Sequence, residues 1–189
     1  NTVIAKPSEK VPSAFRLIAQ LMHKAGLPAG VLNVVNGGRE VVEAMIEHPR
    51  VAGLSFVGST AVAKQLRIKG IENDKRVQAF GSGKNHMIIL PDADLDMAAD
   101  AAASAAFGAA GQRCMAVSVV VAVGNIGDQL VAKIAERIPS IKIGPVSDRD
   151  VQLGPVISSE SQLRINNFID GVEASGAKLC VDGRLGDDQ

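Results

Sequence analysis

The chain has 189 residues, 47% of them hydrophobic, with 20 basic and 20 acidic side chains. That is apolar material enough for a packed core, which excludes a disordered polypeptide, and the cancelled charge leaves no electrostatic footprint for nucleic acid or an anionic membrane. Aromatics are 3% with no Trp or Tyr, which further weakens any base-stacking reading, and no apolar run approaches the length of a membrane span.

Residues 2–5 read as a short strand. Pro12 opens a helical pattern with Phe15, Ile18, Leu21, Met22 and Ala25 on one face, ended by Gly26. Residues 31–35 read as a second strand. The Asn36-Gly37-Gly38 turn then leads to a helix through Val41, Val42, Met45 and Ile46, stopped by Pro49. Residues 51–57 read as a third strand, Gly58-Ser59-Thr60 as a junction to a helix carrying Val62, Leu66 and Ile68, and residues 77–80 as a fourth strand. Strands recurring about every 25 residues with helices between predict right-handed βαβ units and a parallel sheet, with ligands at the carboxyl ends of its strands. Lys6, Glu9, Ser59 and Gly81 all fall at that edge.

Near residues 81–84 the pattern changes, and a boundary is expected at about Gly83. Residues 87–90 read as a strand. Asp94 caps an alanine-rich helix running to about Ala110, Cys114 follows in a turn, and residues 117–123 read as a strand. A helix over about 127–138, a polar loop over 148–154, a helix over about 159–175 and a strand over 177–181 complete the reading.

The two cysteines, Cys114 and Cys180, stand far apart without Cys or His ligand spacing, so neither a metal site nor a disulfide framework is predicted. That usage suits a reducing compartment. Small residues surround Cys114 in Phe107-Gly108-Ala109-Ala110-Gly111-Gln112-Arg113-Cys114-Met115-Ala116. An accessible cysteine beside an arginine is a candidate thiolate nucleophile for a carbonyl carbon. The alternative is a small buried hydrophobe, with Arg113 in a structural ion pair. His23, His48 and His86 share no spacing with Cys114 that suggests a dyad, and Cys180 reads as structural.

The Cys114 segment resembles the nucleophile motif of the aldehyde dehydrogenase superfamily, and five more stretches resemble that family in its own order: Asn1 to Lys10, Gly26 to Val35, Leu54 to Thr60, Pro91 to Asp96 and Leu153 to Ile157. The resemblance implies an α/β fold. Residues 1–83 would be the C-terminal part of a Rossmann-like, parallel-sheet NAD-binding domain, and residues 84–189 the N-terminal part of an α/β catalytic domain. The chain would then be an internal fragment, inactive alone, because the family's oxyanion-hole asparagine lies upstream and its nicotinamide-ribose glutamate and oligomerisation strands lie downstream.

The resemblance makes Lys6, Glu9 and more weakly Lys10 ligands of the adenine ribose, where a carboxylate also repels a 2′-phosphate and so favours NAD over NADP. A solvated surface turn is the competing reading of those residues. Ser59 and the amides around it would meet the pyrophosphate, though Gly-Ser-Thr is also an ordinary helix cap. Ala63 stands where the family usually has glycine. Gly81 would contact the nicotinamide end. Phe80 replaces the glutamate that activates water in hydrolytic members, 34 residues before Cys114.

That loss, with the wording of residues 77–79, 84–86 and 108–116, resembles the CoA-acylating methylmalonate-semialdehyde dehydrogenase branch, from which residues 80–82 depart. In that branch Cys114 would be the nucleophile and Arg113 would hold the substrate carboxylate. NAD and coenzyme A would be the cofactor and co-substrate, and the substrate a small aldehyde. The full-length protein would be a homo-oligomer, a dimer or tetramer, in the cytoplasm or a mitochondrial matrix. The rivals are a hydrolytic aldehyde dehydrogenase and a non-catalytic dinucleotide-binding paralogue.

Overall fold

In the computed structural model, which describes residues 1–184, short strands alternate with helices. The chain divides into two compact units, Asn1–Ser82 and Gly83–Gln189. Among the described residues no helix is long and apolar enough to cross a membrane.

The first unit runs β1 (Val3–Ala5), α1 (Ser13–Lys24), β2 (Leu32–Val34), α2 (Arg39–Glu47), β3 (Gly53–Val57), α3 (Thr60–Glu72) and β4 (Arg76–Phe80). β1 pairs in parallel with β2, Val3 opposite Leu32, and β3 with β4, Gly53 opposite Arg76. Each pair is joined by a helical crossover, the connection that parallel neighbours require. The expected parallel sheet is present as two separate two-stranded pairs. α1 buries no residue, so the apolar stripe read from its sequence stays at the surface, with Leu21 54% exposed.

α3 packs through Ala63, Leu66 and Gly70, whose spacing places them on one helical face. Gly70 allows a close approach there: a Cβ would lie 2.4 Å from the Val77 side chain, which would have to shift. Lys75, only 8% exposed, donates from Nζ to the carbonyls of His48 and Val51, each at 2.8 Å. It thereby ties the loop between α2 and β3 to the residue that precedes β4.

The second unit runs β5 (Asn85–Ile89), α4 (Leu95–Phe107), β6 (Val117–Ala122), α5 (Gly127–Arg137) and α6 (Ser159–Asp170). Its core is Ile89, Ala98, Ala99, Ile126 and Leu130, with Met87, Val120 and Ile134 packed around them. α4 starts where the sequence predicts. The Asp94 carboxylate accepts from the amides of Asp96 at 2.9 Å and Met97 at 3.1 Å, which satisfies two orphan donors of the first turn. Ala98, Ala99, Ala102 and Ala103 form its buried face, and side chains this small let neighbouring elements approach closely while favouring helix. β5 and β6 pair in parallel with a bulge: Asn85 lies opposite Val117 but His86 opposite Val119.

The strand expected over 87–90 starts two residues earlier, at Asn85, and further departures from the sequence reading lie downstream of it. α4 ends at Phe107 rather than near Ala110, because Gly108 leaves the helical backbone and Ala109 and Ala110 then take left-handed angles, both with φ of 53°. The helix expected over 159–175 ends at Asp170, where Gly171 caps it, and only a short 3₁₀ turn, Glu173–Ser175, follows. Residues 177–181 are β-prone but form no strand, since no described strand lies beside them to take up their backbone hydrogen bonds.

Candidate functional site

Lys6 follows β1 directly. Its half-buried Nζ donates to the carbonyls of Pro7 at 2.7 Å and of Gly37 at 2.9 Å, the latter just beyond β2, and lies 3.5 Å from Glu9 Oε2. Lys6 and Glu9 are therefore brought together, tying the turn after β1 to the turn after β2. Glu9 faces solvent; its own backbone N–H and then the Lys6 charge hold its carboxyl below the usual glutamate value. Lys10 is exposed, and its amide donates to Ser8 Oγ at 3.3 Å. The first turn of α2 adds Glu40, whose Oε1 accepts the Gly38 amide at 2.7 Å; its own backbone N–H and that of Gly38 hold its carboxyl low. This strand end presents ionised carboxylates in solvent around one anchored ammonium.

The carboxyl ends of β3 and β4 meet in a second turn. The Gly58 amide donates to the Phe80 carbonyl at 3.1 Å, and the Ser82 amide donates to Thr60 Oγ1 at 3.0 Å. Ser59 sits at the N-cap of α3 with extended backbone, yet its hydroxyl makes no capping bond, and the first amide taken up by the helix ladder here is that of Ala63 on the Ser59 carbonyl. The hydroxyl and the first-turn amides are thus spare donors at the positive end of a helix dipole. Gly81 lies against Thr60, where a Cβ would come within 2.7 Å of Oγ1. Phe80 closes β4 and is 53% exposed. Ala63 is buried within α3.

In the second unit Cys114 is exposed. It occupies a turn closed by the Ala116 amide donating to the Arg113 carbonyl at 3.1 Å. Three consecutive left-handed residues, Ala109, Ala110 and Gly111, lead into that turn. On its amino side, Gln112 donates from Nε2 to the Ala109 carbonyl at 3.1 Å and accepts the Ile157 amide on Oε1 at 2.9 Å. On its carboxyl side, the Asn85 side-chain nitrogen donates to the carbonyls of Cys114 at 2.9 Å and Ala116 at 3.0 Å.

Arg113 is exposed and makes no ion pair among the described residues. Its guanidinium crosses Gly108, where a Cβ would lie 2.6 Å from Nη1. It helps line a cavity of about 360 Å³ together with Ser104, Phe107, Arg137, Gln152 and Leu153. Arg137 is already bonded to Asp96 and Asp100, which leaves Arg113 as the cation of that wall with bonding capacity to spare. Cys114 does not line the cavity.

Sequence reasoning did not single out Thr60, Asn85 or Gln112. Their roles arise from contacts across 22, 29 and 45 residues. Only the threonine carried a local signal, its place directly after Gly58-Ser59. Among the described residues no group of His, Cys, Asp and Glu is placed to hold a metal ion.

The chain matches the aldehyde dehydrogenase family model over residues 1–189. It is 48% identical over 185 residues to the malonate-semialdehyde dehydrogenase of Pseudomonas aeruginosa, covering 97% of this chain and 37% of that protein. A solved methylmalonate-semialdehyde dehydrogenase of Oceanimonas doudoroffii superposes with a TM-score of 0.94 at 46% identity, over 99% of this chain and 38% of that one. A Sinorhizobium meliloti protein assigned to the same activity and solved with NAD gives a TM-score of 0.91 at 49% identity, over 96% of this chain and 37% of that one. The chain thus spans a little over a third of the length of the relatives it matches. It belongs to the aldehyde dehydrogenase family.

Proposed function

We propose that this chain supplies the cofactor-gripping and nucleophile-bearing segments of an NAD-dependent enzyme that oxidises malonate or methylmalonate semialdehyde and passes the acyl group to coenzyme A. The observation that carries the reading is the Arg113–Cys114 pair: an exposed thiol on a turn pinned from both sides, preceded by an arginine with no carboxylate partner among the described residues. The names of the relatives support the substrate class.

The residues at the strand ends of the first unit fit a dinucleotide. Spare amides and the free Ser59 hydroxyl at the start of α3 suit a pyrophosphate, and Gly81, pressed against Thr60 where a Cβ would not fit, keeps the turn after β4 close to that helix start. Glu9, ionised and in solvent beside Lys6, suits ribose hydroxyls and disfavours a 2′-phosphate. In this reading residues 1–83 serve NAD and residues 84–189 the substrate. Bound NAD supplies the hydride acceptor for the oxidation.

Cys114 performs the covalent work. Its thiolate adds to the aldehyde carbon, and loss of hydride from that carbon leaves a thioester on sulfur. Arg113 holds the substrate carboxylate through two parallel hydrogen bonds, a geometry its planar fork provides. The carboxylate β to the thioester carbonyl departs as CO₂, and a proton takes its place on carbon. The thiol of coenzyme A then attacks the thioester, loses its proton, and releases the Cys114 thiolate. Phe80 has no atom that accepts a proton, so its position offers no base to activate water, and this favours a thiol as the acyl acceptor.

The test is Cys114→Ala in the full-length protein, assayed for NADH with malonate semialdehyde in the presence and absence of coenzyme A. The expected result is coenzyme-A-stimulated NADH formation in the wild type and none in the variant. Turnover retained by the variant defeats the nucleophile assignment. Rapid acid release that ignores coenzyme A assigns the protein to hydrolysis instead.

A further inference from the structure

We infer that Asn85 is a positioning residue for Cys114, holding the nucleophile's own backbone carbonyl; this rests on the reading of Cys114 as the nucleophile. Asn85 opens β5 and its side chain is half-buried, while Cys114 lies 29 residues further on. The carboxamide nitrogen carries two hydrogens, and the two oxygens beside it, those of Cys114 at 2.9 Å and Ala116 at 3.0 Å, use both. Both neighbours are carbonyls, so the amide orientation is unambiguous: only nitrogen can face them.

The consequence for the sulfur is geometric. The hydrogen bond from Ala116 to Arg113 closes the turn, and the bond from Asn85 fixes the peptide plane that follows the Cys114 Cα. With the peptide planes on both sides of the Cys114 Cα held by these two bonds, its Cα–Cβ bond has one direction. The bulge at this point of the β5–β6 pair serves the same end. Asn85 pairs with Val117, and the register then slips by one residue before His86 meets Val119. Bulges recur beside active sites because they re-aim side chains. A strand that began in regular register would not need a side chain reaching back to two carbonyls ahead of its partner's first residue.

The experiment compares Asn85→Asp and Asn85→Ala with the wild type in the full-length protein, in a Cys180→Ser background so that Cys114 is the reporting thiol of this chain. Aspartate keeps the shape but sets acceptor against acceptor; alanine removes the bonds. Losing two hydrogen bonds at a reacting group predicts a fall of about tenfold in the single-turnover rate of NADH formation, with the KM for NAD unchanged. Asn85→Asp also slows alkylation of Cys114 by iodoacetamide by about tenfold, since a carboxylate then faces the turn. If the aspartate variant does not fold, Asn85→Ser, which keeps one donor, reads the same rates and falls between wild type and alanine.

Unchanged NADH and alkylation rates in these variants overturn the inference. So does a loss that appears equally in the KM for NAD, which marks a general structural defect. Failure of the catalytic reading is a separate result: a wild type that makes no NADH at all refutes the enzyme assignment, while the alkylation comparison still decides whether Asn85 aims the thiol.

Discussion

Gly81 and Thr60 touch so closely that a Cβ on Gly81 would lie 2.7 Å from the threonine hydroxyl and 2.9 Å from its Cα. The same hydroxyl accepts the Ser82 amide at 3.0 Å, so the turn after β4 is clasped to the start of α3. Gly81→Ala therefore cannot be absorbed by a side-chain rotation alone; backbone must move. The expected cost is about 1–3 kcal/mol of stability, measured by urea unfolding, together with weakened NAD binding by the full-length protein. Thr60→Ala in the same chain removes the hydroxyl but not the Cα, and so restores part of the loss and not all of it. An alanine variant with wild-type stability and NAD affinity shows that the clasp has no consequence.

Much of this arrangement is legible in the sequence because it is local. Asp94 ahead of an alanine-rich run reads as a helix cap, and its carboxylate does cap α4. Gly58-Ser59-Thr60 after an apolar run reads as a strand-to-helix junction, and α3 starts at Thr60. What escapes is settled by partners far along the chain. Residues 177–181 have strand-forming side chains but no neighbouring strand, so propensity had nothing to act on. The extension of α4 to Ala110 followed alanine's preference for helix, which the left-handed turn into the Cys114 loop overrides. Asn85 falls two residues ahead of the strand expected over 87–90, and its two carbonyl partners belong to a loop whose position only the folded β5–β6 pair defines.

Asp96 bridges two helices of the second unit. Its carboxylate accepts from Lys133 at 2.7 Å and from Arg137 at 3.2 Å, while Arg137 also holds Asp100. Hydrogen bonding by Lys133 and then by Arg137 keeps the Asp96 carboxyl below the usual aspartate value of 3.8. The unfolded chain therefore takes up this proton at higher pH than the folded chain does. The stabilisation is complete above the ordinary aspartate range and disappears as the pH falls through the lower folded-state value. Asp96→Asn, which has no proton to take up, should show a lower unfolding midpoint than wild type at neutral pH. The two proteins should converge as the pH falls below that folded-state value. The measurement is urea unfolding across that range; a constant difference between the two proteins at every pH contradicts the assignment. High salt should shrink the neutral-pH difference, because the Asp96 carboxylate faces solvent.

Ala110 carries φ of 53° immediately before Gly111 and four residues before Cys114. For an L-residue with a Cβ this conformation costs roughly 1–2 kcal/mol, whereas glycine adopts it freely at an entropic cost of about 0.5–1 kcal/mol. The difference favours glycine, so Ala110→Gly should stabilise the protein by up to about 1 kcal/mol in urea unfolding. Ala99→Gly is the matching control within α4, where Ala99 is fully buried. There the backbone is helical, and the same exchange should destabilise by about 1 kcal/mol or more through lost helix propensity and lost packing. Opposite signs at the two alanines identify the left-handed approach to the Cys114 turn as stored strain. Destabilisation at both positions would mean that the segment does not hold this backbone in solution. The turn also leads to the thiol, so Ala110→Gly joins a gain in stability to a freer approach to Cys114. A lower single-turnover rate accompanying higher stability is then the signature of a strained segment that helps to aim the sulfur.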